Sequence, residues 1–170
     1  MILLTIEDII GILENLETVH QTMLEIAGCK KKAIIKNDLE SLIQMMNQET
    51  KVLKQIELLE SQRVEAVHQF LQEKGIKSKL NLNVSELSRL VFDVEEKNRL
   101  QSIQSRLSDT LSLLKQTNEL NQKLIAQALE FIDYSLDVLV EKPYQEVTYQ
   151  HPLTERNGGK LQSGYFDSRA

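Results

Sequence analysis

Two Glu-x-x-His steps, Glu17-Thr18-Val19-His20 and Glu65-Ala66-Val67-His68, have the residue types and spacing for metal chemistry. On a helix both side chains of such a step share one face, the arrangement that holds iron in carboxylate bundles of the ferritin-like type. Register separates the two. If the chain turns at Asn37, His20 lies 17 residues before the turn and His68 lies 31 after it. At 1.5 Å per residue they are offset by about 21 Å along the hairpin axis and cannot share a metal centre. His20 is then expected in a helix seam and His68 on the surface, and no metal or cofactor is expected.

Other candidates for chemistry fall away in turn. Gly158-Gly159-Lys160 lacks the upstream glycine and the following Ser or Thr of a phosphate-cradling loop. No nucleophile, base and orienting acid stand together, so no enzymatic activity is expected. Glu49, Glu60 and Arg63 occupy positions where the pattern calls for apolar residues. They read either as polar contacts to a partner or, for Glu60 and Arg63, as a pair on one helix face or across a bundle that fixes register. Asn118 and Asn121 are of the same kind, since a buried asparagine costs stability but narrows the choice of partner or register.

The elements that must position these residues are helices. The chain has 170 residues, 41% of them hydrophobic, 26% charged and 5% aromatic. That is one domain's worth of chain with the composition of a helical bundle. A net charge of -5 and a pI near 5.3 argue against a nucleic-acid surface, which needs a basic face. Lys30-Lys31-Lys32 reads as a solvated helix face. Cys29 is alone, which excludes an intrachain disulfide and fits a reducing compartment. Met1-Ile2-Leu3-Leu4 lacks a basic flank and precedes Glu7 and Asp8, so it does not read as a signal peptide. No apolar run approaches a membrane span of about 18 residues. A soluble cytoplasmic protein is expected.

The division of the chain is visible in its prolines: none occurs from Met1 to Lys142, and both lie in the last 28 residues with three of the six glycines. Thr5 and Asp8 suggest a capping box, after which Ile9, Leu13, Leu16, His20, Met23, Ala27, Lys30 and Ile34 recur in steps of four and three. Lys36-Asn37-Asp38 supplies a turn and N-cap, and the rhythm resumes from Leu39 to Phe70. Lys74-Gly75 ends the second helix. Ser85 with Glu86 restarts a third, whose seam runs Leu100, Ile103, Leu107, Leu111, Leu114, Asn118, Asn121, Ile125, Ala128, Ile132 and Leu139. The charged stretch from Asp93 to Lys97 is where a bend would fall. The expected fold is all-α: an antiparallel long-helix hairpin plus a very long third helix. The helices are placed at 5–35, 38–73 and 85–141, with a loop at 74–84 and a helical body over 1–142. Unbroken, the third helix would span about 85 Å, so part of its apolar stripe outruns its own partners and is available as a binding surface or a dimer seam. Residues 143–170 read as a flexible polar tail.

The segment Asn118-Glu119-Leu120-Asn121-Gln122-Lys123-Leu124-Ile125, continuing through Leu136-Asp137-Val138-Leu139 to Lys142-Pro143, resembles the carboxy-terminal half of FlgN-type flagellar export chaperones. Leu59-Glu60-Ser61-Gln62-Arg63 is similar to the family's Leu-Glu-x-x-Arg stretch. The family often has glycine where this chain has Gln122 and Gln150. The resemblance implies a cytoplasmic, non-enzymatic chaperone that binds the carboxy-terminal segments of hook-filament junction proteins (FlgK- and FlgL-like). It would keep them unassembled and deliver them to the cytoplasmic domain of the export gate. The resemblance implies client recognition in the carboxy-terminal part; there Leu114, Ile125, Ala128, Ile132 and Leu139 supply helix-in-groove anchors on the longest helix, with Asn118 and Asn121 expected to select register with the client. Gate docking is implied at Tyr149. Such a chaperone is expected to be a monomer or a weak homo-oligomer, with no nucleic-acid partner and no membrane insertion. The rival from composition alone is a homodimeric coiled-coil scaffold or adaptor whose seam closes on itself.

Overall fold

The computed structural model describes residues 5–76 and 82–140, and all of their regular structure is helical. Helices α1 (Ile6–Lys36), α2 (Leu39–Glu73), α3 (Val84–Arg89) and α4 (Val94–Leu139) follow in order. The chain divides into two compact units, Met1–Glu130 and Phe131–Ala170. Tyr149 and the rest of the expected tail lie outside the described residues, as do residues 77–81 of the expected loop.

The ends of the two hairpin helices have local causes. At the start of α1 the Thr5 backbone N–H and hydroxyl both donate to Asp8 Oδ2, at 2.8 and 2.9 Å. At the α1–α2 turn Asn37 adopts the left-handed region (φ 55°), which asparagine tolerates better than other side chains. That conformation lets the Asp38 N–H reach back to the Ala33 carbonyl at 2.9 Å. Asp38 then caps α2, accepting from the Ser41 N–H at 3.1 Å and the Ser41 hydroxyl at 2.7 Å. Gly75 (φ 76°) closes α2, with the Ile76 N–H donating to the Leu71 carbonyl at 2.9 Å.

Hydrogen bonding from the neighbouring groups holds the Asp8 and Asp38 carboxyls below the usual carboxylate range, by Thr5 in the first case and Ser41 in the second. Depressed folded-state values mean that these caps stabilise above the unfolded-state value and lose that contribution as pH falls through the folded one. Thermal unfolding followed between pH 7 and pH 3 should therefore show a falling midpoint. Asp38→Asn, which keeps the cap without a titrating group, should show a smaller acid-induced drop than the parent chain.

In place of one helix from Ser85 to Glu141 there are two. Asn83, not Ser85, caps α3: its Oδ1 accepts from the Glu86 N–H at 2.8 Å, and its own N–H donates to Glu86 Oε2 at 3.0 Å. The chain leaves helical geometry over Val91–Asp93, and Asp93 Oδ1 caps α4 by accepting from the Glu95 N–H at 2.8 Å. An aspartate that satisfies the next helix's first donors makes the break stable without proline or glycine.

The core sits at the end of the hairpin away from the α1–α2 turn. There Ile9, Ile10, Leu13 and Leu16 of α1 meet Val67, Phe70 and Leu71 of α2, with Leu87 of α3, Val91, and Leu100 and Ile103 of α4. A smaller cluster of Met23, Ile26 and Val52 continues toward the turn, and Leu114 packs against it. Beyond Ile103, α4 buries only Thr110 and Asn121.

Candidate functional site: the uncovered face of α4

Polar contacts set the register of α4 on the hairpin. Arg99 Nη1 donates to Glu7 Oε1 at 2.6 Å, and its Nη2 lies 3.6 Å from Glu14 Oε1. Arg106 Nη1 lies 3.2 Å from Glu17 Oε2, and Gln21 Nε2 donates to the other Glu17 oxygen at 3.2 Å. Further along, Asn121 Nδ2 donates to the Ala27 carbonyl at 2.9 Å. Residue numbers rise together in all three pairings, so α4 runs parallel to α1 and antiparallel to α2. Exposed ion pairs of this kind contribute little stability each, but misregistered alternatives leave Glu17, only 7% exposed, without its cation.

Lys30, Glu49, Glu60, Arg63 and His20 of the polar seam also find partners within the chain. Lys30 Nζ donates to Glu49 Oε2 at 2.7 Å, tying α1 to α2. Arg63 Nε donates to Glu60 Oε2 at 3.0 Å on one face of α2, which lowers the Glu60 carboxyl and raises the guanidinium. His20 Nδ1 lies 2.7 Å from the Leu16 carbonyl oxygen, so that nitrogen donates. His20 adds only a slight lowering to the Glu60 carboxyl, and Glu60 stands eight residues, about 12 Å, along α2 from His68. The Glu of the first Glu-x-x-His step is thus occupied in helix packing. Among the described residues no group of three or more His, Cys, Asp or Glu side chains is placed to hold a metal ion.

The client-surface residues expected from the sequence divide by burial. Leu114 is half-buried against Met23, Ile26 and Val52, and Asn121 is 3% exposed, so both are engaged with the hairpin. Asn118 and Ala128 are half-buried, while Ile125 is 38% exposed. In the second unit Ile132 and Leu139 are exposed. The strict heptad seam missed several apolar residues lying off it. Leu113, Leu120 and Leu129 are exposed in the first unit, and Phe131, Tyr134, Leu136, Val138 and Val140 in the second. Their signal in the sequence is density: seven of the ten residues from Phe131 to Val140 are apolar or aromatic, a broad arc interrupted by the acidic stripe of Asp133 and Asp137. An apolar arc this wide normally packs against a partner, yet each of these seven is more than half exposed.

A bundle whose polar groups serve packing and register, and whose last helix displays uncovered apolar surface, defines a protein-binding module. The family described as FlgN protein matches residues 1–156, and the chain belongs to that family of flagellar export chaperones. FlgN proteins bind hook-associated proteins of the flagellum. An uncharacterized protein of Bacillus subtilis (strain 168), YvyG, is 26% identical over 162 residues, covering 95% of this chain and 97% of that protein. No solved structure gives a significant match. Among the described residues no helix is long and apolar enough to cross a membrane.

Proposed function

We propose that this chain acts in the cytoplasm as an export chaperone for hook-filament junction proteins of the FlgK and FlgL type. It binds their carboxy-terminal helical segments, prevents premature assembly and hands them to the cytoplasmic domain of the export gate. The observation that carries this reading is the broad uncovered apolar arc of residues 131–140, preceded by Ile125 and Leu129. Filament subunits carry self-associating helical termini, and an amphipathic helix of that kind fits an apolar helical surface through anchors at i, i+3, i+4 and i+7. Ile125, Ile132 and Leu139 serve as the principal anchors, with Ala128 allowing close approach. Leu114, Asn118 and Asn121 frame the start of the surface and hold its helix in register. Gate docking is assigned to Tyr149, and the free chaperone is a monomer or a weak homo-oligomer.

Two measurements test the two halves. Calorimetry with a recombinant junction protein should show Ile125→Asp and Ile132→Asp each weakening client binding about tenfold or more, since either buries a charge in an apolar contact. Tyr149→Ala should bind client normally and export it poorly in cells. Parent-like client affinity in the two aspartate variants rejects the α4 surface. Normal export by Tyr149→Ala rejects the docking role.

A further inference from the structure

A second apolar stripe lies on α2, a helix that the client-binding reading does not use. Leu39, Ile43, Met46 and Leu53 are 67%, 50%, 51% and 48% exposed, and exposed Thr50 completes steps of four, three, four and three. Such steps place the five side chains on one line along a helix. It is not the face that packs inside the chain, because Val52 there is buried against Met23 and Ile26.

We propose that this stripe pairs two copies of the chain, antiparallel along α2, about a two-fold axis at Met46. The argument is self-complementarity, which an isologous interface demands: if residue i meets residue j, then j must meet i. Apolar positions are balanced about Met46 at Leu39, seven residues before it, and Leu53, seven after, while Ile43, three before, falls near Thr50, four after. Charge is balanced about the adjacent Asn47, about 1.5 Å further along the helix. Glu40, Asn47 and Lys54 each follow a stripe residue by one position and so line a single flank. In an antiparallel pair that flank meets its own copy, which sets Glu40 against Lys54 of the second copy, Asn47 against Asn47, and Lys54 against Glu40. Neither Glu40 nor Lys54 takes part in an ion pair among the described residues. The opposite flank offers no rival arrangement: Leu42 and Ile56 are half-buried, and Glu49 is held by Lys30. A parallel pair would set the charged flank against that occupied side and leave its charges unanswered. The stripe is about 21 Å long, small for an interface, so the association is weak and concentration-dependent.

The test is sedimentation equilibrium of the full chain over a concentration series. The parent chain should show a monomer–dimer equilibrium. Met46→Asp places like charges at the axis and should raise the dimer dissociation constant about tenfold or more. Glu40→Lys or Lys54→Glu alone should weaken pairing, and the two together should restore it. In a Cys29→Ser background, Met46→Cys should form an intermolecular disulfide on oxidation and Leu39→Cys should not, because only the former position meets its own copy. Circular dichroism checks that these surface variants stay folded. A chain monomeric throughout, pairing unaffected by Met46→Asp, or equal cross-linking by Leu39→Cys overturns the proposal. So does an association lost with Ile125→Asp but kept in the α2 variants, which places the seam on α4. Client affinity is read separately, so failure here leaves the chaperone reading standing.

Discussion

Leu100→Ala should lower the free energy of unfolding by about 2–5 kcal/mol, whereas Leu111→Ala should lower it by no more than about 0.5 kcal/mol. Both leucines sit on the same heptad seam, eleven residues apart. Leu100 is fully buried, in one cluster with residues of α1, α2 and α3, so truncation leaves a void that several elements would have to collapse to fill. Leu111 is 45% exposed, and its truncation removes atoms already half in water. Denaturant titration of the two variants beside the parent measures the difference. Equal losses would mean that α4 packs on the hairpin along its whole seam.

That contrast shows where the sequence was legible. Period and capping identify α1, α2 and most of α4 because each helix carries its own start and stop: Asn37 and Asp38 at the turn, Lys74-Gly75 at the end of α2. The depth of α4's packing is less legible, for a geometric reason. A strict seven-residue repeat drifts about 20° per heptad against a straight helix, so the inward face moves off the seam. Thr110 is 8% exposed where the seam calls for Leu111. The break at Val91–Asp93 is a side-chain effect: Asp93 reads as part of a charged surface until its oxygen is seen on the Glu95 N–H.

The candidate site was legible in part. Ile125, Ile132 and Leu139 lie on exposed surface, but Asn121 points into the hairpin, and the breadth of the apolar arc from Phe131 to Val140 escapes a search that follows one narrow seam. The ion pairs of Arg99 and Arg106 were not legible either. Their partners are 92 and 89 residues away in sequence, and charged positions on separate helices carry no mutual signal until the helices are set side by side.

Asn121 supports the last expected result. Its Nδ2 is satisfied by Ala27, but its Oδ1 is buried without a partner, and the Ala27 carbonyl belongs to the interior of α1, where a helical hydrogen bond already serves it. Replacing the amide by an apolar group of similar volume removes an unsatisfied acceptor and strands no other group. Asn121→Leu should therefore fold with equal or higher stability, by up to about 1–3 kcal/mol. Asn121→Asp should lose about 3 kcal/mol or more at pH 7, because a carboxylate buried beside a carbonyl oxygen has neither water nor a cation. Burial raises the folded-state value of that new carboxyl above the unfolded one. The penalty is thus present above the unfolded value near 3.9 and should fade on acidification, when the protonated acid can donate to Ala27 in the amide's place. Thermal melts of both variants at pH 7 and pH 3.5 give the four numbers needed. A leucine variant less stable than the parent by more than about 1 kcal/mol would make the amide a net source of stability. In the expected case the asparagine costs stability and is explained by register instead, holding α4 at one setting on α1 so that Ile125 and Leu129 stay on the open side.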